Sequence, residues 1–101
     1  MPFLHVRLQC RYGKIAQFNE IMQHLVPILE AKGWRLHGAY VAQIGRLDRV
    51  YDIWEVPTAN DVRSVLELAA NEPEFRQWAA GLGECVAEEE LELVEKLPYA
   101  H

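Results

Sequence analysis

Cysteine and serine are both scarce in this sequence, and their scarcity narrows the chemistry available to it. The two cysteines are too few for a disulfide framework and lack a metal-type spacing, so we expect reduced thiols. Cys10 falls on the apolar side of a predicted strand and should be buried, whereas Cys85 lies in a glycine-flanked link and should be more accessible. Ser64 is the one serine and lies on the polar side of a predicted helix, which disfavours a serine nucleophile.

Long apolar runs are also missing. No stretch approaches the roughly 18 apolar residues that a membrane-spanning helix needs. The first residues, Met1–Arg7, lack the basic segment and the apolar block of a secretory signal. We therefore expect a cytoplasmic protein without a membrane span.

Basic residues are outnumbered, with 10 Lys and Arg against 15 Asp and Glu and a net charge of −5. Residues 1–83 are balanced, so the whole excess lies in residues 84–101. Because there is no basic stripe, we expect no binding to nucleic acid or to an anionic membrane surface. The acidic segment has two interpretations: the solvated face of an edge strand, or a docking strip for a basic partner.

Recognisable catalytic and cofactor motifs are absent as well. The sequence has no Gly-rich phosphate loop, no histidine pair at i and i+4, no Gly-x-Ser-x-Gly and no Cys-x-x-Cys. Its histidines have no metal-ligand spacing and no haem-like surroundings, and His24 falls on the polar side of the first predicted helix, facing solvent. We expect neither a metal nor another cofactor.

Apolar periodicity is the strongest signal that the sequence does carry. Its 101 residues are 50% apolar and 25% charged without a shift of composition, which predicts a single domain over residues 1–101. Period-two alternation predicts strands, and apolar residues three and four apart predict helices. The predicted elements are strands over 3–10, 34–44 and 49–56, a helix of about 18 residues from Ile15 that stops at Lys32–Gly33, helical segments over 62–70 and 75–82, and a last strand that ends at Leu97–Pro98.

The order βαββαβ predicts an α+β fold of the ferredoxin-like type, with a four-stranded antiparallel sheet and the helices on one face. We assign Trp34, Leu36, Tyr40 and Trp54 to the face that the helices leave uncovered. Such a face is too apolar to stay in water. We therefore expect a second copy of the chain to cover it, giving a homodimer through the sheet face.

Two segments resemble a known family. One is the hairpin run Ile44–Glu55, and the other is Asn71–Phe75 followed by Trp78. The first strand with Arg7 and the strand Gly33–Tyr40 occur in the expected order, so the resemblance covers nearly the whole chain. The chain resembles the NIPSNAP family of the dimeric α/β-barrel superfamily.

The resemblance implies a homodimer whose two sheets pack face to face into a barrel. It also implies a pocket between sheet and helices, or within the barrel. The superfamily includes cofactor-free oxygenases of polyketide products, dehydratases, isomerases and haem-handling enzymes, whereas NIPSNAP proteins mostly lack an established activity. Family membership therefore does not settle the function.

The candidate pocket residues are His5, Arg7, Tyr40, Asp52 and Trp54. If the first and third strands turn their polar residues into one cavity, Arg7 would hold a carboxylate or enolate and His5 or Asp52 would move a proton. The alternative is a structural ion pair between Arg7 and Asp52, with His5 facing solvent.

We predict a protein of the NIPSNAP type that binds a small, partly apolar molecule or serves as an accessory in metabolism, with no established reaction. One alternative is a cofactor-independent oxygenase or isomerase acting on an aromatic or polyketide-like substrate. Another is a protein-interaction module.

Overall fold

Four strands and four helices make up the described part of the computed structural model, residues 2–100. They are β1 (Phe3–Cys10), α1 (Ile15–Ala31), β2 (Arg35–Val41), β3 (Arg49–Glu55), α2 (Asp61–Ala70), α3 (Pro73–Ala79), α4 (Leu82–Cys85) and β4 (Val86–Val94). The strands form one sheet in the order β2-β3-β1-β4, and every neighbouring pair is antiparallel. The predicted ferredoxin-like α+β fold is therefore confirmed.

Helix α1 follows from its apolar spacing and from the way it ends. Its buried residues, Phe18, Ile21, Leu25 and Leu29, recur at steps of three and four and form one stripe against the sheet. Gly33 then takes a positive φ of 98°. Its N–H bonds to the carbonyl of Glu30, and the next N–H bonds to that of Leu29, the paired pattern of a Schellman cap. Within residues 2–100, no helix is both long and apolar enough to cross a membrane.

The core lies between the sheet and the helices. Alternate residues of the two central strands point into it, and α1 supplies most of the opposing side chains. The buried apolar residues are Leu4, Val6, Leu8, Cys10, Phe18, Ile21, Leu25, Leu29, Trp34, Val50, Trp54, Val56, Val65, Ala69 and Cys85. Within residues 2–100, no helix covers the other face of the sheet.

The predicted assignment of both tryptophans to the uncovered face is wrong. Trp34 and Trp54 are 4% and 3% exposed on the helix-covered side, where their rings meet edge to face at 5.6 Å. A register shift between Leu36 and Gly38 breaks the alternation of β2, so Leu36 pairs with Trp54 while Tyr40 pairs with Tyr51. Leu36 therefore turns toward the helices.

The uncovered side of the sheet, called here the open face, is mixed rather than apolar. The strand registers place on it Phe3, His5, Arg7, Gln9, Arg49, Tyr51, Ile53, Glu55, Glu88, Glu90, Glu92 and Val94 from the three strands β1, β3 and β4. Tyr40 joins them from β2 with 60% of its surface exposed. Apolar character alone therefore does not require a partner on this face.

Candidate functional site

Asp52 is the unusual residue of the core. Among residues 2–100 it is the one charged residue that is buried, with 5% of its surface exposed. The alternation of β3 places it between Val50 and Trp54 on the helix-covered side, directly opposite Val6. No side-chain hydrogen bond or ion pair of the described residues includes its carboxyl group.

Two cavities meet at Asp52. The larger, of about 550 Å³, lies between α1 and the strands β2 and β3 and extends from Ile15 to Pro27 along the helix. The smaller, of about 190 Å³, lies over β1 and reaches the neighbouring strand β4. Both are lined by Phe18, Met22 and Asp52. The carboxyl group thus lies where two mostly apolar spaces adjoin.

The electrostatics of this site follow from burial without a counter-charge. Burial raises the pKa of Asp52 from 3.8 to about 6, and the nearby Glu89 carboxylate adds to the rise. Glu89 on β4 pairs with Leu8 on β1 and so lies on the same sheet face as Asp52. It is an exposed residue at the edge of the smaller cavity, and the partial burial of its carboxyl group raises its pKa. No Lys or Arg of residues 2–100 lines either cavity.

A second unpartnered polar group lies in the same region. The Trp34 indole Nε1–H is buried and has no hydrogen-bond partner among the described residues. Trp34 borders the smaller cavity. A buried donor without a partner is costly, so this region of the core holds a second unsatisfied polar group in addition to Asp52.

The structure does not bring Arg7 and Asp52 together, so the prediction of a shared cavity or an ion pair between them is wrong. Arg7 lies opposite Tyr51 on the open face, where it pairs with Glu90 and lies 3.6 Å from Glu92. Alternation correctly separates the two sides of β1 and of β3. It did not state which side of β3 matches which side of β1.

The other predicted pocket residues divide in the same way. His5 is exposed on the open face, away from both cavities. Tyr40 borders the larger cavity at the β2 edge of the sheet, although the strand register places its side chain on the open face, and Trp54 borders the smaller cavity. Asp52, Tyr40 and Trp54 thus border the cavities that meet at Asp52, while His5 and Arg7 do not.

Sequence reasoning missed Glu89 as a cavity residue. Alternation along the last predicted strand could have found it, because side chains that alternate turn Glu89 inward when Glu90 faces outward. The prediction that His24 faces solvent is wrong. Its ring stacks on that of Trp78 with 3.7 Å between the ring centroids, so this histidine packs between α1 and α3. No cluster of three His, Cys, Asp or Glu suited to a metal ion occurs in residues 2–100.

The cysteines agree with prediction at one position. Cys10 is buried as expected, and burial raises its pKa to about 11. Cys85 is buried too, with 0% exposure, so its predicted accessibility is wrong. The glycine-flanked segment folds into the short helix α4, which ends at Cys85 and turns that side chain into the core.

Solved structures share this fold. A NIPSNAP family protein with unknown function from Agrobacterium tumefaciens has a TM-score of 0.87 at 13% identity, covering 99% of this chain and 91% of that chain. An uncharacterised NIPSNAP domain protein from Burkholderia xenovorans has a TM-score of 0.84 at 18% identity, covering 100% and 99%. An antibiotic biosynthesis monooxygenase has a TM-score of 0.70 at 15% identity, covering 97% and 100%. At these identities the similarity establishes the fold alone.

Sequence comparison decides the family. A search of curated proteins finds none that matches the chain. The family model described as NIPSNAP matches residues 5–101, nearly the full length. The resemblance seen in the hairpin run and in the segment around Trp78 is thereby confirmed, and the chain belongs to the NIPSNAP family.

Proposed function

We propose that this NIPSNAP protein binds a small, largely apolar molecule in the two cavities that meet at Asp52. The observation that carries the proposal is a buried carboxyl group without a partner at the junction of two mostly apolar spaces. Ligand sites in proteins are typically apolar cavities of this size with a few convergent polar groups. Trp34 contributes a further unpartnered donor beside the same space.

Binding of a neutral apolar dye tests this function. N-phenyl-1-naphthylamine should fluoresce on binding the wild-type protein. Met22 lines both cavities, so the larger indole of Met22→Trp would occupy space that the dye needs. We expect this variant to bind the dye about tenfold more weakly, or worse. Leu68→Trp is the control, since Leu68 is 59% exposed on α2 and lines neither cavity. Equal dye binding by folded Met22→Trp and wild type would reject these cavities as the site.

A cofactor-independent oxygenase or isomerase acting on an aromatic or polyketide-like substrate is the second candidate. One observation favours it: a carboxyl group with a pKa of about 6 in an apolar cavity is suited to accept a proton near neutral pH. The test is exchange of the α-protons of 2-tetralone in D2O, followed by NMR. If wild type accelerates the exchange and Asp52→Asn does not, an enzyme is supported. If the exchange rate is the same with and without protein, the proposed function is binding without catalysis.

We also propose that the protein is a homodimer through the open face and works in the cytoplasm. The charges of the open face support a second copy as the partner, because glutamates line the β4 edge of the sheet and Arg35 lies on the opposite edge, β2. Glu88, Glu90 and Glu92 lie on β4, where Arg7 of the same protomer meets two of them. Two unpaired cysteines are consistent with a reducing compartment.

A further inference from the structure

We propose that the ligand is a cation, namely an amine on an apolar body, with its ammonium group held beside Asp52. The proposal rests on the proposed function that the two cavities bind a small molecule, and it specifies the charge and class of that molecule.

The charge inventory of the cavities carries the argument. Their charged lining residues are Asp52, at the junction, and Glu89, at the rim toward β4. Helix α1 contributes only the neutral amides of Asn19 and Gln23 as polar side chains to the larger cavity. The nearest basic side chain of β1, Arg7, is on the opposite face and already pairs with Glu90. Nothing among residues 2–100 that borders the cavities balances the two carboxylates.

An ammonium group resolves this imbalance where other ligand charges do not. A buried carboxylate is costly unless an opposite charge or hydrogen-bond donors meet it. At pH 7.5 Asp52 is mainly ionised, because its pKa of about 6 lies below that pH. An anionic ligand would add a third negative charge to the site. A neutral hydrocarbon would leave the Asp52 carboxylate unpaired and remove the water that reaches it.

The walls of the cavities suit the same ligand. Phe18 borders both cavities, and Trp54 and Phe75 border the smaller one. Aromatic faces attract cations in addition to packing against apolar groups. The larger cavity, of about 550 Å³, has room for the apolar body while the ammonium group lies at the junction with Asp52.

Three probes of one shape but different charge test the proposal: 1-(aminomethyl)naphthalene, 1-(hydroxymethyl)naphthalene and 1-naphthoic acid. Titration calorimetry at pH 7.5 should show the amine binding at least about tenfold more tightly than the alcohol, and the acid binding least. In Asp52→Asn the amine and the alcohol should bind equally, with affinity for the alcohol retained. Asp48→Asn, the same change in the turn between β2 and β3, should keep the preference for the amine.

Several outcomes would overturn the proposal. Tightest binding of the alcohol or of the acid would assign the site to another ligand class. A preference for the amine that persists in Asp52→Asn would remove Asp52 as the partner. If N-phenyl-1-naphthylamine binds while no naphthalene probe does, the amine class is rejected and the proposed function stands. If the dye does not bind either, the proposed function itself fails.

Discussion

At the scale of single residues, Asp52 has a carboxyl group whose ionisation works against folding. Its pKa is raised from 3.8 to about 6 by burial, so the folded protein binds this proton more tightly than the unfolded chain does. Below about pH 3 the group is protonated in both states and costs nothing. As the pH rises toward 6, the unfolded chain ionises Asp52 freely while the folded protein does so at a cost, and stability falls. Above about pH 6 the full cost is present.

Replacement of Asp52 should therefore stabilise the empty protein at neutral pH. A rise of about two pKa units corresponds to about 3 kcal/mol, so Asp52→Asn should raise the free energy of unfolding at pH 7 by up to that amount and give little gain at pH 4. Urea denaturation at both values measures the difference. Asp48→Asn should show no such pH-dependent gain. An Asp52→Asn protein less stable than wild type at pH 7 would contradict the expectation.

The two thiols give a second prediction at this scale. Cys10 and Cys85 are 2% and 0% exposed, so a thiol reagent reaches them only when the structure opens. Ellman's reagent at pH 8 should label neither cysteine of the folded protein in minutes, and both at once in 6 M guanidinium chloride. Fast labelling of Cys85 alone in the absence of denaturant would show that α4 opens independently of the core.

At the scale of elements, alternation and helical spacing predict all four strands and the antiparallel sheet, although β2 ends at Val41 and β4 at Val94, before their predicted ends. They were insufficient for the facing of β2. Strict alternation from Trp34 predicts Leu36 and Tyr40 on one face, but the register shift before Gly38 separates them. A bulge is decided by pairing with the next strand, so it leaves no trace in the periodicity of one strand. The candidate site is the least accurate part of the prediction, because its residues were grouped by sheet face and the facing of one strand relative to another was not predicted.

The end of α1 is one feature that the sequence predicts correctly and that a substitution can test. Gly33 stops the helix with φ at 98°, a conformation that costs most side chains about 1 kcal/mol or more. Gly33→Ala should lower the free energy of unfolding by about 1–2 kcal/mol, and Gly33→Asn by less, because asparagine tolerates this conformation better. Urea denaturation measures both. Gly83→Ala is the matched control, since an added methyl group there meets nothing within 4 Å.

If Gly33→Ala and Gly83→Ala cost the same, the cap contributes nothing to stability. The cap at Gly33 also affects the candidate site. The Schellman cap leads directly into Trp34, whose indole borders the smaller cavity. Helix termination and the shape of the cavity are therefore set by the same turn.

At the scale of the whole molecule, the charge pattern of the open face restricts how two copies can meet. A two-fold axis parallel to the strands would place the acidic edge strand β4 of one protomer opposite the edge strand β2 of its partner, which carries Arg35. An axis perpendicular to the strands, in the plane between the sheets, would instead oppose β4 with β4. Opposite charges across an interface favour the first arrangement, and like charges penalise the second. The proposed dimer therefore has strands that run along its symmetry axis.

The dimer is best tested at Tyr51, which lies near the middle of the open face and is 39% exposed. Trp54 is unsuitable, because it is buried beneath the helices and its replacement would damage the core of each protomer.

Sedimentation equilibrium should give a dimer for wild type at micromolar concentration and a folded monomer for Tyr51→Glu. The introduced carboxylate lies opposite Arg7 of its own protomer. It would nevertheless lose its hydration when the two sheets meet, and this cost weakens dimerisation. Leu68→Glu, on exposed α2, should remain dimeric. A folded wild-type monomer under these conditions would reject the dimer, and dimeric Tyr51→Glu would move the interface to another surface.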